Sequence, residues 1–237
     1  MGLPTVVDRE EWLVARKALL ATEAAANEAR RAATAERQRL PMVRVDKKYV
    51  FEGPQGTVSL ADMFEGRRQL IVYHMMFDPA WEEGCRFCSL LMDNVGHPAH
   101  LHARNTTFAI VSRAPLAKLL RHRERMGWPL PWYSSFDSDF NYDFHVTLDE
   151  AVAPVEYNYK DKATLLAEGM DFFTEGEQGA VSVFLRDGED VFHTYSSYGW
   201  ENDILHNTFN YLDLTPLGRQ MEGPGSVTIR LHDRYPS

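Results

Sequence analysis

Cys85 and Cys88 are the only cysteines among 237 residues, and they stand in Gly84-Cys85-Arg86-Phe87-Cys88-Ser89 after the apolar run Leu70-Ile71-Val72-Tyr73-His74-Met75-Met76-Phe77. Thiols at this spacing lie one helical turn apart when a helix starts at the first of them, so they can close a disulfide. A helix start also offers unpaired N–H groups that favour a thiolate on Cys85. The chemistry this predicts is thiol–disulfide exchange, with Cys85 attacking a substrate disulfide and Cys88 resolving the mixed disulfide. Arg86 adds positive charge beside Cys85, whereas Glu82 and Glu83 oppose ionisation by like-charge repulsion. Trp81, before the motif, is a candidate to shield the sulfurs or rim a substrate site.

The same thiols permit a metal reading. Cys85-x2-Cys88-x8-His97-x2-His100 sets two thiolates and two imidazoles within sixteen residues, a donor set that zinc accepts in a tetrahedron. Copper(I) would take the two cysteines with a remote histidine, for which His193 is the candidate. A third reading keeps the cysteines as inert packing in a non-catalytic interaction domain. The redox reading calls for no cofactor. His74, inside the apolar run, reads as a core histidine. The acidic group Asp137, Asp139 and Asp143 lacks the full ligand pattern of a calcium loop and reads as solvated.

These residues need a scaffold, and the composition supplies one. With 44% apolar and 25% charged residues, the chain can bury a large core without covalent staples. A formal charge of −9 argues against nucleic acid or an anionic membrane as the main partner. No run approaches the roughly 20 apolar residues of a membrane span, and the N-terminus lacks the regions of a signal peptide. Cytoplasmic placement is the expectation; reducing conditions there favour a working thiol pair over a structural disulfide. The expected partners are a disulfide-bearing protein or a small thiol or disulfide.

Asp8 and Glu11 form a capping box ahead of an Ala-, Glu- and Arg-rich helix that Pro41 ends, giving an N-terminal arm over 1–41. Trp12, Leu13, Leu19 and Leu20 stripe its first turns. That stripe either packs on the domain or embraces a second subunit to make a homodimer. From 42 to 218 the pattern is a strand or hairpin at Val43 to Phe51, a turn at 52–56, and a strand entering a short helix at Val58 to Phe64. The Leu70–Phe77 strand and the cysteine-headed helix to about Asn94 follow. Next come a strand at Phe108–Val111, a helix after Pro115 closed by Gly127, and a strand at Trp132–Ser134. Phe140, Tyr142, Phe144 and Val146 alternate ambiguously. Residues 149–179 read as an insertion of helix and loops. Val181–Leu185 and Val191–Tyr195 form a hairpin turning at Asp187-Gly188. A terminal helix is expected over about Trp200–Tyr211, and 219–237 as a tail.

Strand, cysteine-headed helix, strand, helix, strand, hairpin, helix is the order of an α/β thioredoxin-like fold, a central mixed sheet flanked by helices. Val58–Phe64, Leu70–Phe77, Gly84–Cys88, Val191-Phe192-His193-Thr194-Tyr195-Ser196 and Tyr211-Leu212-Asp213-Leu214-Thr215-Pro216 resemble a bacterial thioredoxin-like family of unassigned function. That family is related to the alkyl hydroperoxide reductase and thiol-specific antioxidant group, and the resemblance implies the scaffold. Two departures bear on activity. The peroxidatic motif places a proline seven residues, and Thr or Ser three residues, before its cysteine. Asp78 and Glu82 occupy those places before Cys85, and Trp81 and Cys85 before Cys88, which ranks a reductase above a peroxidase. Glu177-Gln178-Gly179, ahead of the hairpin, also lacks the proline that usually faces the disulfide; Gly179 would allow an equivalent close approach.

Overall fold

The computed structural model describes residues 3–221 and 229–236. Helix α1 (Arg9–Arg37) starts as the capping box requires, with the Asp8 side chain accepting the Glu11 N–H at 2.8 Å. None of its residues is buried, and Trp12 remains 45% exposed. Its last turn reaches the body, where the Arg37 guanidinium lies 4.7 Å from the centre of the Tyr195 ring. An arm laid along its own domain is therefore not what the chain forms.

Eight strands make one sheet: β1 (Val43–Arg44), β2 (Val50–Gly53), β3 (Gly56–Ser59), β4 (Gln69–His74), β5 (Thr106–Ser112), β6 (Trp132–Ser134), β7 (Ala180–Asp187) and β8 (Asp190–Tyr198). Their order is β1-β8-β7-β4-β5-β6-β2-β3. β4 runs parallel to β5 and β5 to β6; the other pairings are antiparallel. Helix α2 (Arg86–Asp93) follows β4, and α3 (Leu116–Met126) connects β5 to β6. The four strands β5-β4-β7-β8, with the cysteines at the β4–α2 junction, form the thioredoxin-like core.

Both faces of the sheet are covered, which is why β4 and β5 read as almost unbroken apolar runs. Every residue of β5 is buried. The strand period of two sends Tyr73, Met75, Phe108 and Ile110 to the face holding α2 and Cys88, and Leu70, Val72, Ala109 and Val111 to the face of Phe140 and Phe184. Each fully buried Leu or Phe contributes roughly 1.5–3 kcal/mol, so these two layers fix the β4–β5 register and with it the position of the cysteine loop.

Local sequence closes the elements. Gly127 takes a left-handed φ of 67° as the C-cap of α3. In the β7–β8 hairpin Asp187 pairs with Asp190, so the two-residue turn is Gly188-Glu189, one position later than the sequence suggested, with Gly188 supplying the positive φ. The alternating aromatic stretch begins as a short helix, Phe140–Asp143. Lys47 binds Asp139 and Asp143 at 2.9 and 2.6 Å, neutralising part of the acidic group beside it. The expected terminal helix is broken at His206 into a 3-10 segment, Gly199–Leu205, and an α-helix, Asn207–Leu212.

Residues 149–179 fold into a two-stranded hairpin (Glu156–Tyr157 with Lys160–Asp161), helix α4 (Lys162–Ala167) and a 3-10 turn at Asp171–Thr174. Val155, Tyr157 and Leu165 bury with Val146, Leu148, Ala180 and Tyr198. The stretch from Ile229 packs on the body: Ile229 and Leu231 are buried, and Asp233 and Arg234 pair with Arg125 and Glu83. Among the described residues no helix is long and apolar enough to cross a membrane.

Candidate functional site

The cysteine motif is tied to the end of β4 by two backbone groups of one residue. The Met76 carbonyl accepts the Cys85 N–H at 3.0 Å, and the Met76 N–H donates to Cys88 Sγ at 3.4 Å. Cys85 caps α2 with φ −55° and ψ 134°; its carbonyl accepts from both the N–H and the hydroxyl of Ser89, each at 2.9 Å. Gly84 is closely packed: a Cβ there would stand 2.5 Å from Met75 Cε and 3.1 Å from His122 Nε2, so any side chain would have to displace the methionine methyl.

This placement makes the two thiols unequal. Both are free, Cys85 half-buried and Cys88 buried. The neighbouring Cys88 thiol first, aided by the N–H groups of Cys88 and Phe87 and by Arg86, favours the thiolate over desolvation and lowers Cys85 to about 7. Burial first, and then the neighbouring Cys85 sulfur, push Cys88 well above the ordinary thiol value, with the Tyr73 hydroxyl and Met76 N–H acting in the opposite sense. Glu83, predicted to oppose ionisation, is paired with Arg125 at 2.6 Å and Arg234 at 3.0 Å, cations that offset its charge.

Above the thiols lies a cavity of about 770 Å³, lined near the sulfurs by Tyr73, Met76 and Phe87. The insertion supplies Tyr157, Met170, Phe172 and Phe173, and the segment after β8 supplies Trp200, His206 and Phe209. Tyr157 and Phe173 stack at 4.8 Å, and the Tyr157 hydroxyl donates to the Gly179 carbonyl at 2.8 Å. Gly179 faces Cys88, where a Cβ would come 3.8 Å from its sulfur. That is ordinary van der Waals distance, so a side chain there would meet the sulfur without a clash. Both ring nitrogens of His206 are buried without a hydrogen-bond partner, and burial lowers its pKa.

A second cavity of about 730 Å³ adjoins the first through Met76, Phe172 and Gln178. On its wall Arg113 binds Asp78 at 3.0 Å and the buried Glu177 at 2.6 Å, and the Thr147 hydroxyl adds a bond to Glu177 at 3.0 Å. Desolvation still raises Glu177 above the usual carboxylate value. Trp81 lines this second cavity, whereas Arg86 lines that of the thiols.

The predicted metal ligands are not brought together. His97 and His100 lie exposed near each other, with ring centres 6.3 Å apart. His193 sits across the sheet, against Phe144 and Phe184, and its Nε2 bonds Ser196 Oγ at 2.8 Å. That serine continues to Ser182 (2.9 Å) and on to His74 Nε2 (2.8 Å), a buried polar chain in the core. Among the described residues no three His, Cys, Asp or Glu side chains could hold a metal ion.

Sequence reasoning missed the roles of Tyr73, Tyr157, Arg113, Glu177 and His206. Tyr73 was legible only as a core aromatic, which it is, at 4% exposed. The others reach the site from distant segments without a local motif.

A family profile described as "Bacterial protein of unknown function (DUF899)" matches residues 1–235. The chain belongs to the DUF899 family. Among solved structures, it is similar to a cysteine-to-serine mutant of Xanthomonas campestris peroxiredoxin Q (12% identity, TM-score 0.43, 68% of this chain and 90% of that one). It is also similar to peroxidoxin BcpB of Mycobacterium tuberculosis (12%, 0.43, 73% and 97%) and Plasmodium yoelii thioredoxin peroxidase I (11%, 0.40, 73% and 90%). No curated protein sequence matches. In this DUF899 chain the position seven residues before Cys85 is Asp78, engaged with Arg113.

Proposed function

We propose that the protein is a thiol–disulfide oxidoreductase whose Cys85/Cys88 pair cycles between dithiol and disulfide. The observation that carries this reading is the division of labour between the sulfurs. Cys85 is half-buried, caps a helix and ionises near neutral pH; Cys88, one turn on, is buried and keeps its proton. A low-pKa thiolate is the better attacker at neutral pH, and a protonated neighbour resolves only after the mixed disulfide has formed.

The chemistry follows in two displacements. The Cys85 thiolate attacks a disulfide sulfur and expels the other as a thiolate. The Cys88 proton then leaves, and its sulfur attacks Cys85, releasing reduced product. Once Cys85 is in a mixed disulfide it carries no charge, so one of the two main causes that hold Cys88 protonated disappears.

The test equilibrates the purified protein across glutathione redox buffers and counts free thiols in wild type and Cys85→Ser, with metal content assayed in parallel. A reversible two-thiol transition, absent in the variant, is expected. Thiols that stay reduced in every buffer, or stoichiometric metal that blocks both, would overturn the reading.

A further inference from the structure

We infer that the disulfide this pair reduces is a compact apolar one, with its sulfurs carried on alkyl or aryl groups, and not an extended segment of a protein. The inference rests on the redox reading above and adds the substrate class.

Peptide recognition beside a sheet works by pairing backbone with backbone, and most of the backbone groups facing these thiols are already engaged. The Met76 N–H and carbonyl are used by Cys88 and Cys85. The Gly179 carbonyl accepts from the Tyr157 hydroxyl at 2.8 Å and from the Gly199 N–H at 3.3 Å, and the Gln178 N–H is given to Val146 at 2.7 Å. β4, which ends at the site, and β7, which begins there, are interior strands with neighbours on both sides. A peptide strand therefore finds no open edge.

Side chains offer the opposite. Tyr157, Met170, Phe172 and Phe173 of the insertion and Trp200 and Phe209 of the segment after β8 line the cavity with the thiols. The cavity volume, about 770 Å³, falls within the range of roughly 300–1,000 Å³ usual for small-molecule sites. Phe172 and Trp200 are lining residues that stay 66% and 61% exposed, apolar surface with nothing over it. Charge is scarce in the lining: Asp203 is neutralised by Arg219 through bonds of 2.7 and 2.8 Å, and Arg86 stands beside Cys85. A disulfide bearing several charged groups would lose hydration in that wall without matching partners.

In the step this implies, the Cys85 thiolate bonds to one sulfur of R–S–S–R, the S–S bond breaks, and one RS⁻ leaves to take a proton from solvent. Cys88 gives up its proton and attacks Cys85 Sγ, expelling the second RS⁻. Two electrons pass to the substrate, leaving two RSH and a Cys85–Cys88 disulfide, which a dithiol reductant returns to the starting state.

The experiment uses the full chain, pre-reduced, in single turnover with dibenzyl disulfide, oxidised glutathione and insulin. Each rate is divided by that of free dithiothreitol with the same disulfide, which removes differences in leaving group. The expected normalised rate for dibenzyl disulfide exceeds both others by about tenfold or more. The exposed double variant Phe172→Ser/Trp200→Ser should lose that advantage while iodoacetamide still alkylates Cys85 at the wild-type rate. Insulin or glutathione reduced as well as dibenzyl disulfide, or a preference that survives the double variant, overturns the substrate class while leaving the dithiol cycle standing. A protein that reduces none of the three and shows no transition in glutathione buffers overturns the redox reading and the inference together.

Discussion

The influence of the Cys88 thiol on Cys85 can be tested by removing that thiol. With Cys85 lowered from an ordinary thiol value of about 9 to about 7, about half of it is thiolate at pH 7, against about one part in a hundred for an ordinary thiol, a gain of roughly fiftyfold. A weaker base is also a weaker nucleophile. With a Brønsted coefficient of about 0.45, two units of pKa cost roughly eightfold. The net expectation is that Cys85 reacts with iodoacetamide at pH 7 about sixfold faster than an unperturbed thiol, and more slowly than it well above pH 9.

The assay is the alkylation rate of Cys85 from pH 5 to 10, with the modified residue identified by peptide mass. Buried Cys88, its pKa raised, stays silent through the lower half of that range. Cys88→Ala removes the donor that heads the causes of the shift, leaving the helix N–H groups and Arg86 against desolvation. Its profile should move upward, towards or past the ordinary thiol value, whereas Cys88→Ser, which keeps a hydroxyl donor, should hold much of the shift. A wild-type midpoint near 9, or identical midpoints in Cys88→Ala and wild type, would refute the reasoning.

Two further outcomes follow from buried charge. Burial lowers His74 to about 3 and His122 to about 4, and also lowers His193 and His206. The unfolded chain takes up these protons near pH 6.5 and the folded one does not, so their stabilising effect is full above about pH 6.5. It is lost as pH falls towards 4, by up to about 1.4 kcal/mol per pH unit for each fully buried ring. Urea midpoints measured at pH 8, 6 and 5 should therefore fall steadily, and a flat series from pH 7 to 5 would contradict this. Arg113→Met strips the buried Glu177 of its cation and should cost about 3–5 kcal/mol. Adding Glu177→Gln should recover much of that in chemical denaturation, and equal losses in the single and double variants would show that the pair is not what Arg113 supports.

The placement of the cysteine pair was legible in the sequence because its determinants are local: an apolar strand, a cysteine spacing of one helical turn, and a helix capped by the first cysteine. The β7–β8 hairpin was legible for the same reason, with Gly188 marking its turn within one position. Where the sequence misled, two periods coincided or a turn lacked its usual residue. Phe140 and Phe144 are four apart, which is both twice the strand period and one helical turn; their rings meet at 4.6 Å, from the first residue of a short helix to its C-cap. The hairpin in the insertion turns through Asn158 and Tyr159, both at positive φ without a glycine.

The walls of the site were illegible on different grounds. Tyr157 stands 72 residues beyond Cys85 and His206 stands 121 beyond it, and each comes to the cavity through packing that no local pattern encodes. A thioredoxin-like core needs only β4, α2 and the strands beside them to hold a reactive thiol. What can approach that thiol is decided by the chain added around the core. The insertion that carried no signal in the sequence roofs the sulfurs with aromatic rings and occupies the Gly179 carbonyl with Tyr157. On the proposed reading, reactivity is written in four consecutive residues, whereas selection is distributed over two segments that become neighbours only on folding.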